Sequence, residues 1–330
     1  MSYKRLDPED FLVSVDSITS TVWSNNQPKL STFFTSSTVT NNDPYYLPVY
    51  QTASTDATAA VQFSIAYGNK HGSGSTYYNP LVTGVTATKT VYGQFRNLIY
   101  GDENTNFTFG EVSSNDFWAI SPDRARYKEH LMPGTLNLTI TDGAGGTLEL
   151  TDNSTVTTVN TFLDCGRVYQ IVSGSNGAPY SGTGYSTASG SYGLFLPDIA
   201  MIILNPLAIS SSIELGPNRT DNSDGDNNGR LFRAISGSAS FILNSEESIT
   251  ADYIYVRARN SEFNYTENPS FISGSTGEIV YSSLINSPQT FPTTIGLYND
   301  TNELIAVAKL SKPLLKDFTK ETLFRIKLDF

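Results

Sequence analysis

The stretch Thr293–Phe330 constrains this chain more than any other. Phe324, Ile326, Leu328 and Phe330 alternate with Arg325, Lys327 and Asp329. A period of two sets the apolar side chains on one face of a strand and the charges on the other. Upstream, Asn299-Asp300-Thr301-Asn302 separates Ile295 and Leu297 from Ile305 and Val307. That is turn chemistry between two strands, so Thr293–Leu310 is expected as a hairpin. Pro313 bars the second strand from continuing. A third strand is expected to follow, with Phe330 docked in a core or an interface.

The rest of the sequence points the same way. Only 16% of residues are charged, and Ser, Thr, Asn and Gly are abundant. That balance fits short strands joined by polar turns. The expected fold class is mainly β, with antiparallel sheets or sandwiches, long loops and one or two short helices. With 330 residues there is room for two or three domains. The expected division is an N-terminal β-rich domain with two short helices (1–135), a loop-rich β domain (136–245), and a C-terminal antiparallel β domain (246–330).

Two segments read as helices. In Thr88–Gly101, Val91, Phe95, Leu98 and Ile99 recur at helical spacing and Gly101 can end the helix. In Ser121–Met132, Ser121 is a candidate N-cap, Pro122 follows it, and Pro133-Gly134 is a stop. Val61–Tyr67 reads as a strand, and the turn Asp142–Gly146 as a hairpin tip. Ile199–Ile209 reads as buried strand, Pro217–Gly229 as an acidic loop, and Phe232–Asn244 and Ile249–Arg259 as alternating strands. Ser173–Gly193 is rich in Gly, Ser and Tyr, the character of adaptable recognition loops. A loop of that length needs a restraint, for which neighbouring subunits are the expectation. No internal repeat is visible, which argues against solenoids and propellers.

Net charge is −11. A general nucleic-acid binder would be basic, because phosphate contacts supply its affinity. The charge is uneven. Residues 131–229 hold nine acids against two bases, whereas residues 303–330 hold six bases against four acids. Such asymmetry can guide subunit docking, or it can simply mark solvated faces. The single cysteine, Cys165, allows no internal disulfide and reads as a small core residue. The N-terminal run MSYKRLDPEDF has no apolar core, so no secretory signal is expected. Ile199–Ile209 is too short for the roughly 20 residues of a spanning helix, so no membrane insertion is expected.

Catalytic chemistry is thinly supplied. The only histidines are His71 and His130. His71 lies in Gly68–Ser75, which lacks the spacing of either a phosphate-binding loop or a dinucleotide fingerprint. His130 reads as a favourable contact at a helix C-terminus. One Cys and two distant His do not make a tetrahedral zinc site. Asp224, Asp226 and Asn228, followed by Gly229, place oxygens at alternate positions as in a calcium loop. Ile235 stands where the bidentate acid belongs, and a plain acidic turn is the competing reading. No catalytic, cofactor-binding or metal residue is therefore assigned, and no cofactor is expected.

Four stretches carry a resemblance. They are Lys4–Phe11 (KRLDPEDF), Val91–Gly110 (VYGQFRNLIYGDENTNFTFG), Phe117–Gly134 (FWAISPDRARYKEHLMPG) and Thr293–Phe330. Together they resemble virion structural proteins of contractile-tailed bacteriophages, especially those of marine cyanobacteria. The resemblance implies a tail or baseplate building block that is not an enzyme. It implies assembly in the host cytoplasm, residence in the virion tail, and contacts with other tail or baseplate proteins and with copies of itself. Two alternatives stay open: a receptor- or carbohydrate-binding module of the tail, and a tail-associated glycan hydrolase.

Overall fold

A computed structural model describes residues 3–36, 46–75, 81, 86–157, 161–185, 188–219 and 226–329. The protein is mainly β, with 40% strand against 16% helix, and its sheets are antiparallel. It divides into two compact units, Ser17–Glu247 and a smaller one made of Met1–Asp16 with Ser248–Phe330.

Twelve strands of the larger unit form one sheet. The strands that matter here are β2 (Val61–Asn69), β3 (Asp116–Pro122), β4 (Asn137–Thr141), β5 (Thr147–Asp152), β6 (Gly166–Ser175), β7 (Gly193–Leu196) and β8 (Met201–Leu204); β1 (Phe11–Thr21) lies elsewhere. Along the sheet run Phe241–Ile242, β4, β5, β6, β7, β8, β3, β2, Leu47–Tyr50 and Phe34–Thr35. Thr161–Leu163 and Ala178–Pro179 pair with β6 beside that path. β3 pairs with β8 through Trp118↔Leu204, Ala119↔Ile203 and Ile120↔Ile202. The expected boundary at 135/136 thus falls inside a continuous sheet, and the larger unit spans it.

The central strands are apolar on both faces, as strands covered on both sides must be. Phe63, Ile65, Tyr67, Trp118, Ile120, Phe195 and Ile202 enter one buried cluster. Ala66, Phe117, Ala119, Leu194, Leu196 and Ile203 enter another. Successive side chains of a strand point to opposite faces, so the clusters lie on opposite sides of the sheet.

Helices fill both. α1 (Ala87–Tyr100) buries Val91, Tyr92, Phe95 and Ile99 against the second cluster. Gly101, at φ 62°, ends it in the left-handed conformation. This is the helix expected at Thr88–Gly101, although Leu98 faces outward. α2 (Pro206–Ile213) and α3 (Asp226–Ser238) pack Ala208, Ile209, Leu231, Ala234 and Ile235 into the first cluster.

Three expectations are corrected. Ser121–Met132 is not a helix: Pro122 ends β3, Arg124–Arg126 form one 3-10 turn capped by Asp123, and His130–Leu131 is a short strand. The segment has start and stop signals but no apolar stripe to bury. Ile199–Ile209 is strand only from Met201 to Leu204. There the Asn205 side chain accepts the Leu207 N–H at 3.1 Å, and Pro206 opens α2. The strand expected at Phe232–Asn244 is helical as far as Ser238, because Leu231, Ala234 and Ile235 share one helical face, and is strand at Phe241–Ile242; of the acidic loop expected at Pro217–Gly229, residues 226–229 open α3 and residues 220–225 lie outside the described residues.

A four-stranded sheet sets β1, β9 (Asn244–Ala258) and β12 (Thr322–Asp329) side by side in that order, with His130–Leu131 pairing with Ser245–Glu246 of β9 beside that path; most of β9 and all of β12 belong to the smaller unit. β9 pairs with β12 from Ala251↔Asp329 to Ala258↔Thr322. Between them in sequence, β10 (Thr294–Tyr298) and β11 (Leu304–Lys309) form the expected hairpin, with Thr294↔Lys309 in register. The Asn299 side chain accepts the N–H groups of Thr301 at 3.1 Å and Glu303 at 2.8 Å, which shapes the turn. A short helix, α4 (Ser283–Asn286), precedes it. The buried Lys316 ammonium donates to Asn264 Oδ1 at 2.8 Å, Asp317 O at 2.9 Å and Asn260 O at 3.2 Å. It ties the 260–264 turn to the Gln289–Thr290/Lys316–Asp317 strand pair. Phe330 lies outside the described residues.

Candidate functional site

The histidines sit apart and in structural surroundings. His71 is exposed on the turn after β2, where its backbone N–H donates to Asn69 Oδ1 at 2.9 Å. That turn is held from below by a buried polar group. Asp116 Oδ2 accepts from the Tyr67 hydroxyl at 2.8 Å and from Arg219 Nε at 2.7 Å. Burial first, and then the Asp116 charge, push the Tyr67 phenol far above its ordinary range, so it stays protonated and donates. Arg219→Ala would leave the Asp116 carboxylate buried with one cation fewer. The expected cost is about 1–3 kcal/mol. The double variant Arg219→Ala/Asp116→Asn should cost less than Arg219→Ala alone, read by urea unfolding. Equal losses would remove the ion pair as the cause.

His130 does not lie at a helix end, as expected from the sequence, because that helix does not form. Its Nε2 is 3.2 Å from Glu246 and its Nδ1 3.8 Å from Glu129. Beside it, Asp198 accepts three hydrogen bonds from Arg167: backbone N at 2.7 Å, Nε at 2.9 Å and Nη2 at 2.6 Å. Burial raises the Asp198 carboxyl, but these bonds outweigh it and hold it below the usual carboxylate range. A folded-state value below the unfolded one adds stability above about pH 4, and that stability is lost as pH falls through the folded value. Asp198→Asn should therefore lower Tm at pH 7, and the gap to wild type should close below about pH 4. A gap independent of pH would refute the assignment.

Of the calcium-like run, Asp224 lies outside the described residues. Asp226 and Asn228 are on α3, not on a loop. The Asp226 carboxylate is taken by Arg230 at 3.0 Å and Arg233 at 2.8 Å. No group of three His, Cys, Asp or Glu residues able to hold a metal occurs among the described residues. Cys165 is half-buried, and burial pushes its thiol up.

The Gly/Ser/Tyr loop is restrained by its own chain. Asn176, at φ 52°, and Gly177, at φ 75°, make the tight turn that pairs Ser175 with Ala178. Ser173 N–H donates to Gly184 O at 2.8 Å and Tyr180 N–H to Ser173 O at 3.0 Å. The Tyr180 hydroxyl donates to Glu149. Neighbouring subunits are not required to hold its described part.

What the sequence did not locate is an imbalance in the smaller unit. Of 27 large apolar side chains exposed among the described residues, 18 belong to it. Among the described residues, only Ala251, Ile254, Ala258, Phe271, Phe324 and Ile326 are its buried apolar residues. Neither apolar cluster draws on it. The alternation expected at the C-terminal strand is real, with Phe324 and Ile326 buried and Arg325 and Lys327 exposed.

β1 is the extreme case. Val13 is 64% and Val15 67% exposed on one face, beside Phe11, while Leu12 is exposed on the other. β1 also ends the path of its sheet. The hairpin is a sheet of two strands only. It leaves Leu304, Ile305 and Val307 exposed, Ile305 at 68%. A lone hairpin is marginal in water, and monomers seldom expose so much contiguous apolar strand. The chemistry available here is association through strand edges and apolar faces. No helix among the described residues is long and apolar enough to cross a membrane. This surface stands on its own residues: no protein-family model, no curated protein and no solved structure matches the chain.

Proposed function

We propose that this chain is a structural subunit of a bacteriophage virion, a component of the contractile tail or baseplate that acts through protein–protein contacts. One observation carries the assembly part: among the described residues, the smaller unit exposes 18 large apolar side chains and buries six apolar ones. Burying apolar surface is the main favourable term in folding and in association alike. A unit that buries so little against itself gains the remainder by burying it against neighbours. The tail assignment is supported by the resemblance at Lys4–Phe11, Val91–Gly110, Phe117–Gly134 and Thr293–Phe330. No arrangement of nucleophile, base and orienting group favours catalysis among the described residues.

The test is the copy number and position of the chain in purified particles, by quantitative mass spectrometry and electron cryomicroscopy. A fixed stoichiometry within the tail is expected. Absence from purified virions would sink the proposal, as would an isolated monomer that cleaves glycan.

A further inference from the structure

We propose that the two free edges of the smaller unit's sheet meet between copies of this chain, the β12 edge of one copy lying against the β1 edge of the next. This rests on the assembly reading above and names its partner. In the path β1–β9–β12, each outer strand has one neighbour. Each therefore offers a row of backbone N–H and C=O groups to a further strand. Soluble monomers blunt such edges with Lys, Pro or inward charges. β1 reads FLVSVDSITST and has neither Lys nor Pro.

The two edges differ in charge. β1 carries Asp16 as its one charged residue, and the turn leading into it carries Asp7, Glu9 and Asp10. Of the two cations before that turn, Lys4 is engaged by Glu262 at 2.8 Å and Arg5 is exposed, so the acids of this edge outnumber its uncommitted cations. β12 presents Arg325 and Lys327. Lys327 shares its charge with Asp329 at 2.9 Å. Arg325 lies 5.7 Å from the Tyr253 ring centroid, with no carboxylate partner among the described residues. Pairing β1 with β1 would set acids against acids, and pairing β12 with β12 would set Arg325 and Lys327 against themselves. Like charges across a strand pair destabilise it, and opposite charges stabilise it. The unlike pairing is the one that satisfies both edges.

Contact between unlike surfaces is heterologous, so it repeats into a ring or a stack and not a two-fold dimer. That demands two separate patches per copy. Exposed apolar side chains stand on both outer strands, Phe11, Leu12, Val13 and Val15 on β1 and Leu323 on β12.

The test uses the full-length chain and sedimentation velocity over a range of concentrations. Glu9→Lys/Asp16→Lys reverses the first edge, and Arg325→Glu/Lys327→Glu reverses the second. Wild type should form oligomers larger than a dimer. Each variant alone should associate at least about tenfold more weakly. Mixing the two variants should restore association, since each then offers the edge that complements the other's reversed edge. Rescue would also show that both are folded. Should either variant melt differently from wild type, the milder Asp16→Asn and Arg325→Gln replace them, and each should still weaken association. A wild type that stays monomeric, a closed two-fold dimer, or variants that associate as wild type does would overturn the proposal. So would two well-folded variants that fail to rescue one another. Association only with a different virion protein would overturn it while leaving the assembly reading intact. Self-association of a chain absent from virions would do the reverse.

Discussion

Phe117→Ala is expected to lower the stability of the larger unit by about 3–5 kcal/mol, the usual cost of emptying a buried phenylalanine site. Phe117 is fully buried where β3 crosses under α1. Its ring lies 4.5 Å from that of Phe107, 5.5 Å from Tyr92 and 5.6 Å from Phe95, centroid to centroid. Aromatic pairs at such distances add to what area alone provides. The pairing Gly68↔Phe117 explains a second residue. A Cβ on Gly68 would stand 2.7 Å from the Phe117 ring, closer than atoms can approach. Glycine in a strand interior commonly marks such an approach. Gly68→Ala should therefore destabilise the wild type, yet cost little in the Phe117→Ala background, where the added methyl enters vacated space. The two substitutions should be strongly non-additive in a double-mutant cycle read by urea unfolding. Additive losses would mean that Gly68 serves some purpose other than making room for Phe117.

What the sequence made legible follows from where each pattern gets its meaning. The alternation in β12 and the turn at Asn299 are local facts, and both reappear in the fold. α1 was readable because Val91, Phe95 and Ile99 form a stripe and Gly101 closes it. α2 was hidden inside a continuous apolar run, where a period of two and one of 3.6 look alike. The Asn205-Pro206 pair was the available signal for its start. α3 opens within a run of acids and amides that imitates a cation loop, and its Leu231, Ala234 and Ile235 stripe competed with an alternating reading. Ser121–Met132 shows the converse: caps without a stripe do not make a helix. That Met1–Asp16 joins Ser248–Phe330 in one unit was not legible, because pairings that distant leave no local trace. Nor was the exposed surface. An apolar alternation looks the same whether its greasy face meets a core or a partner, and only the buried neighbours tell the two apart.

Hydrogen exchange should separate those two kinds of strand by at least about a thousandfold in the unassembled chain. Amides of β2, β3, β7 and β8 lie between two apolar clusters, and their exchange requires opening close to global unfolding. Global unfolding of a stable domain costs about 5–15 kcal/mol. Amides of β1, β10, β11 and β12 lie on edges or in a two-stranded sheet with few buried apolar neighbours. Local opening there needs far less, and roughly 1.4 kcal/mol of difference is already a tenfold change in rate. Assembly should then slow β1 and β12 selectively, leaving β2 and β3 unchanged, because a strand added at an edge supplies hydrogen-bond partners there and nowhere else. Uniform protection across both units in the free chain would mean that the smaller unit is stable by itself. In that case its exposed side chains would be ordinary surface, and the reason for expecting a partner would be gone.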